Sequence, residues 1–334
     1  MSFILIDSAN LFARSKFVTR GDIDTRLGMS LHIMLNSIKK SWQDFNGSHV
    51  VFFFEGRSWR KEFYKPYKAN RTAAKNAMTP TELEEDKLFW EMFDIFKTFI
   101  IENTNCTVLQ HPKLEADDLI AGFIQSHPDD KHVIISTDSD FYQLLAPNVM
   151  HYNGVSEVLS THEGIFDIKG NRLLDKKTNE PLPIPDPEWI LFEKCIRGDS
   201  SDNVFSAYPG VRKKGTKNKV GLLDAYADRN DKGWAWNNIM LSKWVDHEGI
   251  EHTVCDDYNR NRILIDLSSQ PDDIKELIFT TILEQTEKPK NNSQVGIRLM
   301  KFCTTHSLNT ILDNVQYYAT AFQSKYTKEA LRAN

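Results

Sequence analysis

The chain reads as an α/β protein with a central, mostly parallel sheet wrapped by helices and a helical C-terminal part. Three observations carry this. Short, continuous apolar runs alternate with helical patterns over the first 155 residues; such runs suit strands buried on both faces of a parallel sheet. A stretch punctuated by Gly and Pro at 160–187 then breaks the alternation, and the spacing beyond it is mostly helical. With 40% hydrophobic and 11% aromatic residues in 334, there is apolar material for a sizeable core, which excludes intrinsic disorder.

Each element follows from its own pattern. Residues 3–6 form an apolar run ending at Asp7, and residues 30–42 carry Leu31, Met34, Leu35 and Ile38 at helical spacing. A second apolar run, 50–54, ends at Glu55. Thr79-Pro80-Thr81-Glu82 is a capping box with proline at the first helical position. The helix it opens carries Leu88, Phe89, Met92, Phe93, Phe96, Phe99 and Ile100 on one side. Residues 106–109 read as a strand, 114–125 as a helix, and 132–136 as a strand followed by Thr137-Asp138-Ser139-Asp140. The stretch 160–187 reads as a hairpin excursion. Asp186-Pro187 starts a helix ending near Arg197-Gly198, and the helical remainder is broken at 288–294. The domains expected are 1–187 and 188–334.

Several classes are excluded. No stretch approaches the ~18 consecutive apolar residues of a membrane span. The start, Met-Ser-Phe-Ile-Leu-Ile-Asp, has no basic region and meets an acid at position 7, so it is not a signal peptide. A soluble, cytoplasmic protein without membrane contact is expected. Cys106, Cys195, Cys255 and Cys303 lie far apart, with neither zinc-ribbon nor disulfide spacing. The histidines show no metal-ligand spacing; His247 and His252 are five apart, not the four that share a helix face.

The formal charge of −5 hides two basic clusters. Residues 57–75 hold Arg57, Arg60, Lys61, Lys65, Lys68, Arg71 and Lys75 against Glu62 alone, and residues 211–219 hold Arg212, Lys213, Lys214, Lys217 and Lys219 with no acid. A charge run is usually a solvated face. Two of them in a net-negative chain imply that acids are concentrated elsewhere.

The acids stand at the strand ends, where open α/β sheets form their sites. Asp7, Glu55, Asp138 and Asp140 follow predicted strands, and Asp138 and Asp140, two apart, project to one face of an extended segment. Glu115, Asp117 and Asp118 open a helix, with Glu115 and Asp118 on one face. Asp199 and Asp202 lie in the loop after Gly198. Singly, such an acid is a helix cap or a solvated loop residue. Together, nine carboxylates without sequence-local counter-charges would repel by several kcal/mol, which implies bound cations. All-oxygen ligation points to two magnesium or manganese ions, ~3.5–4 Å apart, the clamp for in-line attack on a phosphodiester.

Leu5-Ile6-Asp7, the run 51–55, Tyr67-Lys68-Ala69-Asn70-Arg71, Glu115-Ala116-Asp117-Asp118, Thr137-Asp138-Ser139-Asp140 and Gly198-Asp199-Ser200-Ser201-Asp202-Asn203, in this order, resemble the flap endonuclease, or structure-specific 5′-nuclease, superfamily. Tyr258-Asn259-Arg260, Ile263-Leu264-Ile265-Asp266 and Pro271-Asp272 extend the likeness to the ribonuclease H of T-even phages, over nearly the whole chain. The resemblance implies a PIN-like 5′-nuclease core, a helical arch at 60–90, and a helix–three-turn–helix-like module within 204–223 in the helical C-terminal domain. It makes the nine acids ligands of two metals, and it puts Lys68 and Arg71 on the scissile phosphate. Tyr67 would stack on the terminal base, while Arg60 and Lys61 would be phosphate contacts of the arch base. Lys213, Lys214, Lys217 and Lys219 would hold the duplex backbone.

The activity implied is metal-dependent 5′→3′ exonuclease and flap endonuclease hydrolysis of RNA primers or 5′ flaps during replication, on branched, nicked or RNA-primed duplex DNA, by a monomer in the host cytoplasm if viral. Family habit adds a single-stranded DNA-binding protein or a sliding clamp as partner, although Gln316-Tyr317-Tyr318 lacks clamp-peptide spacing. Two departures stand out. Glu55 replaces the family's usual Asp. The second hairpin reads Lys214-Gly215-Thr216-Lys217-Asn218-Lys219 in place of the glycine-rich turn that accompanies a potassium ion. A PIN-type ribonuclease is the first rival, opposed by Asp199, Asp202 and the 211–219 cluster. A catalytically silent branched-DNA-binding protein is the second, opposed by retention of all nine acids.

Overall fold

The computed structural model describes residues 1–328, apart from the side chains of Phe17 and Val18. Two compact units result. The first contains Met1–Ser58, Met78–Pro185 and the described residues from Asp273 onward; the second contains Trp59–Ala77 and Asp186–Asp272.

The first unit is built on a seven-stranded sheet. Its strands are β1 (Ser2–Asp7), β2 (His49–Phe54), β3 (Thr107–Gln110), β4 (Lys131–Ile135), β5 (Val149–Asn153), β6 (Val158–Thr161) and β7 (Gly164–Asp167). The spatial order is β3-β2-β1-β4-β5-β6-β7, parallel from β3 to β5 and antiparallel beyond. The chain winds outward from β1 to β3 and then crosses to β4 on the far side of β1. The ends of β1 and β4 therefore flank a topological switch point, where ligand crevices form in such sheets.

Both faces of the sheet are covered, as the unbroken apolar strands require. Ile4, Ile6, Phe52, Phe54, Val133 and Ile135 join one core with the helices Ile23–Asp44, Pro80–Asn103, Val295–Thr305 and Val315–Gln323. Phe3 and Phe53 point to the opposite face and meet Phe123 of the helix Ala116–Ser126 edge-on, at 5.0 and 6.0 Å between ring centres. The capping box at Thr79 is present, with Glu82 reaching back to the Thr79 N–H at 2.7 Å.

This arrangement corrects the expected domain boundary. The last helices do not belong with 188–272: Leu299, Cys303, Ile311 and Phe322 are buried in the core of the sheet. Residues 59–77, expected with the catalytic part, are grouped with 186–272 instead. Within 60–90 the helices are Arg60–Phe63, Ala69–Asn76 and the first turns of Pro80–Asn103.

The second unit is mainly helical, with Pro187–Arg197, Leu222–Ala227, Trp234–Met240 and Val254–Ile265. It also holds an unexpected hairpin, β8 (Lys243–Val245) and β9 (Glu251–Thr253). These strands are too short and polar to show alternation; the stacking of Trp244 on His252, 4.4 Å between ring centres, pairs them. Asp186 caps Pro187–Arg197 by accepting the Trp189 N–H, and Gly198 ends it at a φ of 75°, where a Cβ would lie 2.3 Å from the Val204 carbonyl oxygen. Among the described residues, no helix is long and apolar enough to cross a membrane.

Candidate metal centre

Seven of the nine predicted acids lie in the first unit. Asp7 ends β1, the central strand of the parallel region, and is buried. Its Oδ2 accepts the Ser136 hydroxyl at 2.8 Å, and the same hydroxyl accepts the Asp138 N–H at 3.1 Å. Asp138 in turn accepts the Asp140 N–H at 2.9 Å. Asn10, one helical turn beyond Asp7, fixes the loop through the Thr137 N–H and hydroxyl, both 2.9 Å from its Oδ1. Ser136 and Asn10 thus position the β4 acids against β1. Sequence reasoning misses both, although an Asn at i+3 of a strand-end acid is visible.

Glu55, at the end of β2, is exposed, and its Oε2 accepts the Ala116 N–H at 3.3 Å. Gly56 makes this approach possible. It donates to the Leu114 carbonyl at 2.9 Å, and a Cβ there would lie 1.9 Å from the His111 carbonyl oxygen. The chain turn before the helix Ala116–Ser126 is therefore laid directly on the end of β2. Glu115 and Asp118 form a reciprocal capping box at its start, Glu115 N–H to Asp118 at 3.3 Å.

One carboxylate oxygen each from Glu115, Asp117 and Asp118 lie within 4.8 Å of one another. Asp117, placed by helix geometry on another side, joins the other two because all three stand at the helix end. Glu115 and Asp118 are buried. Buried carboxylates this close repel unless a cation or protons answer them. Oxygen donors alone fit a hard divalent cation. His151, buried near Asp138, is pushed down to about 4 by burial, which Asp138 and Ser136 only partly offset.

Asp199 and Asp202 lie in the second unit, and there the expectation of acids without counter-charge fails. Lys194 Nζ is 2.8 Å from Asp199, because the Gly198 turn folds the loop back on the last turn of its helix. Burial pushes the Asp199 carboxyl up, but Lys194 and Ser201 outweigh it and hold it below its ordinary value. Asp202 accepts the Tyr67 hydroxyl at 2.9 Å and pairs with Arg71 at 2.8 Å and Lys68 at 3.6 Å. The segments are stitched by Lys68 N–H to the Asp202 carbonyl, 2.8 Å, and Asn203 to the Pro66 carbonyl, 2.7 Å. Lys68 adopts a left-handed φ of 55° at the start of Ala69–Asn76.

Two predicted nucleic-acid contacts are corrected. Tyr67 is 3% exposed and packs with Cys195, Val204, Leu264 and Ile265, so its ring has no free face for a base; its hydroxyl orients Asp202 instead. Arg60 is 0% exposed, with Nε on the Leu264 carbonyl at 2.8 Å and its guanidinium over the Trp59 ring, which makes it a packing element and not a phosphate contact. Lys61, Lys213, Lys214, Lys217 and Lys219 are exposed. The 216–219 turn is closed by Thr216 N–H to Lys219 O at 2.7 Å and the reverse bond at 3.2 Å.

Similarity to known proteins accords with this geometry. The chain is 28% identical over 221 residues to a 5′-3′ exonuclease of Mycoplasmopsis pulmonis, covering 65% of each protein. It is 30% identical over 181 residues to DNA polymerase I of Rhizobium leguminosarum, covering 54% of this chain and 15% of that one. The chain thus spans less than two thirds of either relative. Ribonuclease H of Enterobacteria phage T4 is 27% identical over 296 residues, 81% of this chain and 82% of that protein. Among solved structures, the T5 D15 protein co-crystallized with metal ions superposes with a TM-score of 0.54 at 17% identity, covering 96% of this chain and all of that one. The T5 D15 flap endonuclease in complex with DNA and metal ions gives 0.55 at 16% identity, with the same coverage. The model of the 5′-3′ exonuclease N-terminal resolvase-like domain matches residues 2–170, and the chain belongs to that family.

Proposed function

We propose that the protein is a metal-dependent 5′→3′ exonuclease and flap endonuclease, hydrolysing RNA primers or 5′ flaps on branched or nicked duplex DNA. The observation that carries this is the gathering of acids at the carboxyl ends of adjacent parallel strands, with Glu115, Asp117 and Asp118 oxygens within 4.8 Å of one another. Two magnesium or manganese ions are the cations the proposal places among the acids; bound there, they would act as Lewis acids on the phosphodiester and supply a nucleophilic water. For Asp199 and Asp202, of the second unit, a ligand role rests on the resemblance alone.

The chain's own residues do the rest. Ser136 and Asn10 hold Asp7, Asp138 and Asp140 in fixed directions, so the charge of the site is organised before substrate arrives. Asp202 holds Lys68 and Arg71, whose cations are assigned to the scissile phosphate. Tyr67 acts through Asp202 as a positioning residue. The exposed lysines at 213, 214, 217 and 219 are assigned to duplex phosphates, where binding is strong in charge and blind to sequence. Supporting a replication nuclease over a PIN-type ribonuclease is this second unit, which offers an exposed basic turn.

Mapping of products from 5′- and 3′-labelled flapped, nicked and RNA-primed duplexes, in magnesium and in calcium, tests the proposal. It expects magnesium-dependent cuts at or near the junction, with binding but no cutting in calcium. Tight binding with no cutting in magnesium or manganese would identify a silent branched-DNA-binding protein. Cutting of single-stranded RNA without regard to a duplex would identify a PIN-type ribonuclease.

A further inference from the structure

Beside the basic turn of the second unit lies a cavity of about 440 Å³, within the roughly 300–1,000 Å³ range of small-ligand sites. Arg212, Lys214 and Lys219 line it, and no carboxylate does. Asn218 and Asn238 contribute amide groups, which both donate and accept. The remaining feature is Trp234, 75% exposed, the highest value of any large hydrophobic side chain among the described residues. An exposed aromatic alone needs no explanation. An exposed indole on the wall of a cavity whose charges are all positive offers one flat apolar surface next to an anion site.

Both walls are held in place. The Asp228 carboxylate accepts the N–H groups of Ala235 and Trp236 at 2.8 and 3.2 Å, which fixes the first turn of Trp234–Met240. Gly233 packs against the same carboxylate; a Cβ there would lie 2.3 Å from Asp228 Oδ1. On the other side, Leu222 N–H donates to the Arg212 carbonyl at 3.0 Å and Thr216 and Lys219 close the turn. A site whose backbone is already ordered gives up little entropy when a ligand arrives.

We infer that this cavity takes a nucleoside monophosphate group, its base stacked on Trp234 and its phosphate among Arg212, Lys214 and Lys219. Cations alone read phosphate, and an indole alone reads any flat ring; only a group with both uses the whole site. Two sources share that chemistry: a free mononucleotide, the class of product that exonucleolytic hydrolysis releases, and the unpaired terminal nucleotide of a bound strand. The inference rests on the nucleic-acid reading proposed above, and goes beyond it in giving the second unit a base-stacking site that shares Lys214 and Lys219 with its phosphate contacts.

The test uses the full chain in calcium. Calorimetric titration with 2′-deoxyadenosine 5′-monophosphate should show binding about tenfold or more tighter than inorganic phosphate. Trp234→Ala should remove about tenfold or more of that affinity, the lower range for loss of one stacked base. Trp234→Phe should keep most of it, and neither variant should change phosphate affinity. In a second arm, a flapped duplex carries 2-aminopurine at an unpaired terminus. Quenching that depends on Trp234 assigns the strand end as a source, while Trp234 dependence in the mononucleotide arm alone assigns the free product. Mononucleotide binding no tighter than phosphate together with quenching that does not depend on Trp234, or Trp234→Ala changing neither arm, overturns the inference. The mononucleotide arm requires no cleavage, so failure of the nuclease reading would show separately, as uncut substrate in magnesium.

Discussion

The Glu55 carboxylate accepts the Ala116 N–H at 3.3 Å, so the acid at the end of β2 and the first turn of the helix bearing Glu115, Asp117 and Asp118 meet at one point. This hydrogen bond is long, and a side chain shorter by one methylene would not span it. Glu55→Asp is expected to lower single-turnover cleavage of a flapped duplex by about tenfold at limiting magnesium. Glu55→Gln keeps the length and loses the charge; its defect should shrink as magnesium is raised, because mass action offsets a weakened ligand. Magnesium titrations of both variants check the assignment. A Gln variant insensitive to metal would remove Glu55 from the centre.

The Tyr67 hydroxyl and Asp202 give a second test. Tyr67→Phe removes one hydrogen bond to a carboxylate, a loss of about 1–3 kcal/mol in unfolding free energy, and leaves the buried ring in place. A base-stacking role predicts that Phe is harmless to substrate positioning; the role of orienting Asp202 predicts a lower single-turnover rate with duplex affinity retained. Lys68→Ala should cost about two or more orders of magnitude in the same rate, the scale of one charge-stabilising donor, and raising magnesium should not restore it. Stopped-flow cleavage and urea denaturation of both variants provide the readings.

Neutralising Lys213, Lys214, Lys217 and Lys219 together should weaken duplex binding for all sequences alike. The slope of log affinity against log salt should fall by up to ~0.9 for each phosphate that is no longer neutralised. Fluorescence anisotropy at several salt concentrations in calcium measures it. An unchanged slope would return the run to a solvated face.

Acid should destabilise the first unit through its buried histidines. Burial pushes His49 and His132 each down to about 4, while in the unfolded chain both take up protons near 6.5. Below that value the unfolded state binds more protons than the native one, so stability is full above about pH 6.5 and is lost as pH falls toward 4. Each group contributes up to ~3 kcal/mol over that window. His132→Gln, which keeps a donor for the His127 carbonyl that Nε2 meets at 2.9 Å, should reduce the difference between urea midpoints at pH 7 and pH 5. An unaltered difference would mean that His132 is protonated in the native state.

The first unit was legible because its signals are local. Apolar runs became β1, β2 and β4 within a residue or two, the Thr79 box caps its helix, and the acids stand where strand ends and a helix start put them. What escaped depends on partners distant in the chain. Arg60 looked like one cation in a basic run, yet it is buried on the carbonyl of Leu264, 204 residues away. Tyr67 looked like a stacking residue among cations, and Val204 and Ile265 enclose it. Asp202 finds its counter-charges in Lys68 and Arg71, which no spacing reveals. The return of Leu299 and Phe322 to the sheet core was hidden because a helical apolar stripe does not say which surface it covers.

The central claim, that the acids of the first unit hold two hydrolytic cations, meets its most direct test in a calorimetric titration of the full chain with manganese. Wild-type protein should bind two ions, and Asp118→Asn should lose at least one of them together with nearly all cleavage, while its affinity for flapped duplex in calcium stays within about tenfold. Absence of manganese binding to the wild type, or full cleavage by the Asp118→Asn variant, would contradict it.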